Sequence, residues 1–172
     1  MSGYDALITS LLFAGSVEGA SNPTHGDFHG NRWVLAIVNH FVWPVRVYYE
    51  DTDSAGVVYY ANYLKFMERA RTEWLRSLGY EQDTLAREAG IVFMVRSVNL
   101  HYRRPARFND LLQVVNRIEE VKKASLLFAQ TILRPGEAEN PLCSGHVRVA
   151  CVAVDSLKPR AIPPLLLAEI TP

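Results

Sequence analysis

The stretch "EDTDSAGVVYYANYLKFMERARTEWLRSLG", residues 50 to 79, sets a knot of acids and a glycine directly against a strongly patterned segment. Placed at helical steps, Tyr63, Phe66, Met67, Ala70, Trp74 and Leu78 share one arc, with Lys65, Arg69, Thr72, Glu73 and Arg76 opposite. This predicts an amphipathic helix from about Asn62 to Leu78, stopped by Gly79 and about 25 Å long, enough to lie across several strands. Two charges sit oddly on it. Glu68 lies at the edge of the apolar arc, where Arg71, Thr72 or a neighbouring subunit could partner it. Arg71 falls inside the arc, where a charge requires pairing or a stem that reaches water, and a structural ion pair is the expectation.

The acids themselves admit several uses. Asp51, Asp53 and Gly56 occupy the first, third and sixth places of a calcium loop. Ala55 and Asn62 then stand where that loop needs an oxygen ligand and a bidentate Glu, so no metal site is expected. The commonplace use of such acids is to cap the N–H groups of a turn or helix. Gly56 has a backbone explanation either way, as a positive-φ or close-approach position.

Outward from this stretch the pattern changes period. "VRVYY" (45–49) alternates like a strand, and "QDTLAREAG" reads as a short helical turn ending at Gly90. Beyond it "IVFMVRSVNLHYRR", "LLQVVNRIEEV", "ASLLFAQTILR" and "PLCSGHVRVACVAVD" are long, rich in β-branched and aromatic residues, and separated by turn chemistry. One strand, a long helix and four consecutive strands predict an α+β domain over residues 43–172, an antiparallel sheet with the helix on one face. No internal repeat or low-complexity tract interrupts it.

Residues 1–42 read as a variable or disordered extension. "ALITSLLFAGSVEGAS" has the apolar run and small residues of an export signal, but no Lys or Arg precedes it, and the run is too short to span a bilayer. "SNPTHGDFHGN" is made of turn formers. The whole chain of 172 residues carries 18 Lys plus Arg against 18 Asp plus Glu, which leaves no basic field for a nucleic-acid backbone. Cys143 and Cys151 fall in one expected strand. At about 3.3 Å per residue they stand roughly 26 Å apart, and a disulfide needs its Cα atoms within about 7 Å. That spacing fits a reducing compartment.

"VRVYYEDTDSAGVVYYANYLKFMERARTEWL" resembles the opening of the hotdog-fold acyl-CoA thioesterases of the 4-hydroxybenzoyl-CoA thioesterase family, most closely the YbgC branch linked to the Tol-Pal system. The likeness runs from about residue 43 to "RAIP" at 160–163, with "PPLLLAEI" left as a terminal helical turn. It implies the hotdog fold, an antiparallel β-sheet wrapped around a long central α-helix. It also implies that Asp53 is the catalytic carboxylate, as nucleophile or general base towards a thioester carbonyl, and that the backbone N–H of Tyr60 or its neighbour holds the oxyanion. Asp51 is left with turn support. A helix N-terminus suits that task, since its unpaired N–H groups and partial positive charge face the developing negative charge. The same resemblance assigns Lys122, Lys123 and Ser125 in "VKKAS", and Arg160, to the coenzyme A nucleotide, for which a solvated charged turn is the plain alternative.

Further expectations follow from that likeness. They are no cofactor, an acyl-CoA or acyl-carrier-protein thioester as substrate, a homodimer or homotetramer with the acyl tunnel at the dimer interface, and a cytoplasmic location with peripheral contact to the inner membrane. Many members of the branch carry His where this chain has Tyr60, which removes an acid–base partner if that His moves protons. His101 is a recruit in principle, although a strand histidine is usually packed or solvated. A non-catalytic acyl-binding scaffold and a hotdog dehydratase are the competing functions. The dehydratase wants a positioned His beside an acid, and none lies in the acidic loop or the central helix.

Overall fold

The computed structural model describes residues 40–170. The expectation for residues 1–42 therefore lies almost entirely outside the described residues, and His40 to Val42 already belong to the first strand. The strands are β1 (His40–Arg46), β2 (Ile91–Tyr102), β3 (Leu111–Lys122), β4 (Ser125–Leu133) and β5 (Cys143–Ala153). They form a 5-stranded sheet in the order β1-β3-β4-β5-β2, with every neighbouring pair antiparallel. The long helix α1 (Asn62–Ser77) follows β1, α2 (Gln82–Thr84) runs into a wider turn at Leu85–Ala89, and α3 (Pro164–Ile170) is the last element of the described residues.

The helix and the last four strands lie where the periodicity puts them. The first strand does not. "VRVYY" is only partly a strand, because β1 pairs with β3 from His40↔Arg117 to Arg46↔Leu111 and then leaves the ladder. Val47 still bonds to the segment just before β3, its N–H donating to the Asp110 carbonyl at 3.0 Å, but Tyr48 N–H donates to the Asp51 carboxylate at 2.9 Å and turns the chain locally. A short 3₁₀ turn, Tyr49–Asp51, results.

One face of the sheet carries α1. Tyr63, Phe66, Met67 and Ala70 are buried against Val45 of β1, Leu112 and Val114 of β3, Ile132 of β4 and Cys143 of β5. The other half of the core gathers around Leu75, Phe128, Val147 and Cys151, and α3 closes it with Leu166 and Ile170. Fully burying a side chain such as Phe66 or Met67 is worth about 1.5–3 kcal/mol each, so this face of the helix dominates its stability. Leu75 is buried although the expected arc omitted it, and Trp74 lies edge-on to Phe128 with ring centroids 5.2 Å apart. Gly79 takes φ +84 and turns the chain out of α1, as its place after the helix predicts. Both cysteines are free and buried, and burial pushes the Cys143 thiol up to about 12.

Candidate active site

The acidic loop is a miniature hairpin. Thr52 bridges Val58, Asp53 N–H donates to the Val57 carbonyl at 2.9 Å, and Gly56 N–H returns to the Asp53 carbonyl at 3.0 Å. Gly56 adopts φ +71, a conformation that a side chain would strain. The hairpin is fastened from outside by Val58 N–H to the Ala106 carbonyl at 2.8 Å.

Within this frame the two acids do different things. Asp51 is buried; its carboxylate accepts from Tyr48 N–H, and its carbonyl accepts from Tyr59 N–H and from Asn62 Nδ2, each at 2.9 Å. It is a structural staple between the turn and the start of α1. Asp53 is exposed; its Oδ1 accepts from Ala55 N–H at 2.8 Å, and its Oδ2 has no hydrogen-bond partner among the described residues. Neither acid caps α1. Ala61 stands at the cap position without a side-chain hydrogen bond, and the first turn of the helix holds no acid. No side chain thus caps α1, and Asp53, nine residues before it, keeps one carboxylate oxygen without a partner among the described residues.

Tyr60 lies two residues before α1. Its N–H has no acceptor among the described residues, while its carbonyl accepts from the Tyr102 hydroxyl at 3.1 Å. Tyr102 also packs edge-on against Tyr60 and Tyr63, with centroids 6.3 Å and 5.5 Å apart, and the Tyr63 hydroxyl accepts from Ala106 N–H at 2.8 Å. These rings lock the start of α1 to β2 and to the loop at Ala106. The Tyr60 hydroxyl holds the Tyr59 phenol above its ordinary range, and the Asp53 charge adds to that shift. No imidazole among the described residues is hydrogen-bonded to the group. His101 pairs with Ser144 on β5, and strand alternation puts it on the sheet face opposite Tyr102.

A second opening lies along the C-terminal half of α1. Trp74, Phe93, Val95, Phe128 and Val149 form apolar walls around a cleft of about 90 Å³, with Glu68, Arg71, Thr72 and Gln82 on its rim. Glu68 Oε1 accepts from the Thr72 hydroxyl at 2.8 Å, one of the partners open to it. Arg71 does not make the expected ion pair: its Nη1 donates to Gln130 Oε1 at 2.6 Å, and Gln130 in turn donates to the Met67 carbonyl at 2.9 Å. Burial pulls the Arg71 pKa down.

The residues assigned to the nucleotide lie at the β3–β4 turn and on the C-terminal segment bonded to it. Lys122 and Ser125 face each other across the β3–β4 turn and share an open cleft with Arg96, Ser97 and Arg148. Arg160 reaches the Gly90 carbonyl at 3.2 Å, and the Lys123 carbonyl accepts from Ile162 N–H at 2.9 Å, which ties the turn to the C-terminal segment. Arg96 and Arg148 escape a reading by motif. The one local signal is "VRS", where two polar residues in succession break the strand alternation.

A Thioesterase-like superfamily model matches residues 47–170, which spans the acidic loop, α1 and the whole of β2 to β5. The chain belongs to the thioesterase-like superfamily. Within that family it is 47% identical over 125 residues to the acyl-CoA thioesterase YbgC of Haemophilus influenzae, covering 73% of this chain and 90% of that protein. The acyl-CoA thioester hydrolase YbgC of an Escherichia coli O6:H1 strain is 46% identical over 130 residues, covering 75% of this chain and 94% of that protein. Among solved structures, a probable thioesterase from Bartonella henselae superposes with a TM-score of 0.66 at 36% identity, covering 72% of this chain and 99% of that one. The α+β hotdog architecture is thereby established alongside the family.

Proposed function

We propose that this chain is an acyl-CoA thioesterase in which Asp53 is the working carboxylate and the N–H of Tyr60 receives the oxyanion. Thioester hydrolysis follows from the family and its YbgC relatives. The observation that carries the assignment of roles is the exposed Asp53 carboxylate, with one oxygen unused, in a hairpin that runs into an uncapped helix start. Water, losing a proton to Asp53, adds to the thioester carbonyl carbon, or Asp53 adds to that carbon directly. In either route the carbonyl oxygen becomes anionic and is met by the Tyr60 N–H. The adduct then collapses with cleavage of the C–S bond, and coenzyme A leaves as a thiolate. By the first route the acid is released and the thiolate takes up the proton held by Asp53; by the second an acyl-Asp53 anhydride remains, and the water that opens it supplies that proton. A thioester is an apt substrate for one carboxylate, because its carbonyl is poorly resonance-stabilised and its thiolate leaves readily. Tyr60 in place of His leaves this scheme intact, since it draws on the backbone of that residue.

The test of roles is binding without turnover. Asp53→Asn should hold intact acyl-CoA with a Kd close to that of the wild type while cleavage is lost. Loss of binding together with folding would make Asp53 a second loop staple and overturn the reading.

The edge strand supports a homodimer. Among the described residues β2 pairs with no strand but β5, and on its helix-facing side Val95, Val98 and Tyr102 are 51%, 43% and 47% exposed. A long, apolar, unpaired edge is a liability that a second copy would cover. It would also roof the apolar cleft at Phe93 and Val95, making room for an acyl group. Sedimentation should give twice the 19.4 kDa chain mass, or four times it for the tetramer common in the family, and Val98→Asp should shift it towards one. A monomeric wild type contradicts the dimer. The resemblance further supports a cytoplasmic enzyme, with acyl-carrier-protein thioesters as an alternative substrate and the Tol-Pal system with its inner membrane as the setting. No helix among the described residues is long and apolar enough to cross a membrane.

A further inference from the structure

The cation that interrupts the apolar arc of α1 plays no part in the chemistry at the acidic loop. Arg71 is half-buried and borders the cleft walled by Trp74, Phe93, Val95 and Phe128. Among the described residues four other arginines are half-buried, and each holds a carboxylate: Arg104 with Glu137, Arg117 with Glu119, Arg134 with Asp110 and Arg148 with Glu120. Arg71 forms no ion pair with any acid among the described residues. Glu68, on the same rim, is exposed and gives its Oε1 to the Thr72 hydroxyl at 2.8 Å. Burial lowers the Arg71 pKa, and the Glu68 charge offsets that only in part.

What holds Arg71 is a neutral amide of fixed orientation. Gln130 is buried, and its amide nitrogen is committed twice, to the Met67 carbonyl at 2.9 Å and to the Asn116 side-chain oxygen. Its Oε1 is thereby turned towards Arg71 and accepts from Nη1 at 2.6 Å. The guanidinium is anchored at that one nitrogen. Nε and Nη2 have no partner among the described residues, and neither is sealed from solvent, so they open onto the cleft that Arg71 borders. A charge against an apolar wall is costly until an opposite charge meets it.

We infer that Arg71 is a specificity residue that receives a carboxylate at the far end of the acyl group, so that the cleft selects ω-carboxyacyl thioesters over plain fatty acyl ones; this rests on the thioesterase reading for its substrate. The apolar walls suit a methylene chain, and the free side of the guanidinium fork suits the two oxygens of a carboxylate. A methyl end would leave the charge unmatched beside it, and a hydroxyl would bring no charge to meet it. At about 1.5 Å per residue, Arg71 stands roughly 16 Å along the helix axis from Tyr60, and its side chain leans back towards the helix start. A chain of medium length therefore separates the thioester from the carboxylate.

The experiment compares hexanoyl-, octanoyl- and decanoyl-CoA with the hexanedioyl, octanedioyl and decanedioyl half-thioesters of coenzyme A. Wild type should favour the carboxylate in kcat/KM by about tenfold at one length or more, the range for a charge-assisted contact. Arg71→Met keeps the stem and removes the charge, and should abolish that preference. An Arg71 that only ties α1 to β4 would move both series together when it is replaced. No preference for the carboxylate at any length in wild type, or an equal loss on both series in Arg71→Met, overturns the inference. Should Arg71→Met lose its fold through the bared Gln130 oxygen, Arg71→Gln, which is neutral but offers that oxygen a donor, is read by the same ratio. Should wild type cleave neither series, release of coenzyme A from other acyl-CoA thioesters decides the function reading separately. Titration with the uncleaved octanedioyl- and octanoyl-CoA then decides the cleft: tighter binding of the carboxylate form that is lost in Arg71→Met supports the inference, and equal binding overturns it.

Discussion

Asp53→Asn is expected to lower kcat by about a hundredfold to ten-thousandfold, the range for a positioned base or nucleophile, while the protein stays folded. The size of the loss and the retention of structure come from the same geometry. The contact that Asp53 makes through its side chain is acceptance of Ala55 N–H by Oδ1, and an Asn carbonyl oxygen can accept that bond equally well. The substitution therefore removes charge and basicity and leaves the hairpin closed. Asp51 gives the contrast. Its carboxylate is buried and already holds Tyr48 N–H, so it has no free role towards substrate. Rates within tenfold of wild type for Asp53→Asn, in a protein with an unchanged unfolding profile, would move the chemistry elsewhere, with Glu68 on the cleft rim as the next carboxylate to test.

The largest stability effect is expected at a glycine that no motif marks. Gly145 lies on β5 opposite Leu100 of β2, facing the core. A Cβ added there would overlap the Asn99 carbonyl oxygen and stand 2.9 Å from the Leu100 Cα. Both obstacles are backbone, so no side-chain rotation relieves them. Gly145→Ala should cost at least about 3 kcal/mol, the upper end of overpacking, and should loosen β2, taking Tyr102 and its hold on Tyr60 with it. Chemical unfolding with activity measured in parallel checks this. A midpoint within experimental error of wild type would mean that β2 and β5 can part at Gly145 without loss.

The helix was legible because its period is strong and its stop is a glycine with the conformation that a stop requires. β2 to β5 were legible for the same reason, as alternation over many residues cannot easily be satisfied by another element. β1 was misplaced because "VRVYY" alternates beyond the point where Tyr48 N–H turns to the Asp51 carboxylate, a local bond that alternation does not reveal. The order β1-β3-β4-β5-β2 is equally hidden, since local pattern does not reveal which strands meet. At the site, the acidic loop was legible through its likeness to a known family, but the division of labour between the acids was not. Capping would have been the ordinary use of both. The structure shows Asp51 stapling a turn and Asp53 capping no helix, a distinction between two chemically identical side chains two residues apart. Met94 and Phe93 illustrate the same limit for the acyl cleft. Both are apolar and adjacent, yet Phe93 lines the cleft, whereas Met94, 45% exposed, falls on the opposite face by strand alternation.

The central claim is that this fold cleaves acyl-CoA thioesters. Its most direct test is steady-state release of free coenzyme A by the full chain from a panel running from acetyl-CoA through hydroxybenzoyl-CoA to palmitoyl-CoA. The account predicts saturable turnover of at least one class, with the preferred acyl group reporting the shape of the cleft beside Phe93 and Val95. No turnover of any substrate by a folded protein would contradict it, and would leave an acyl-binding protein that carries the site without the chemistry.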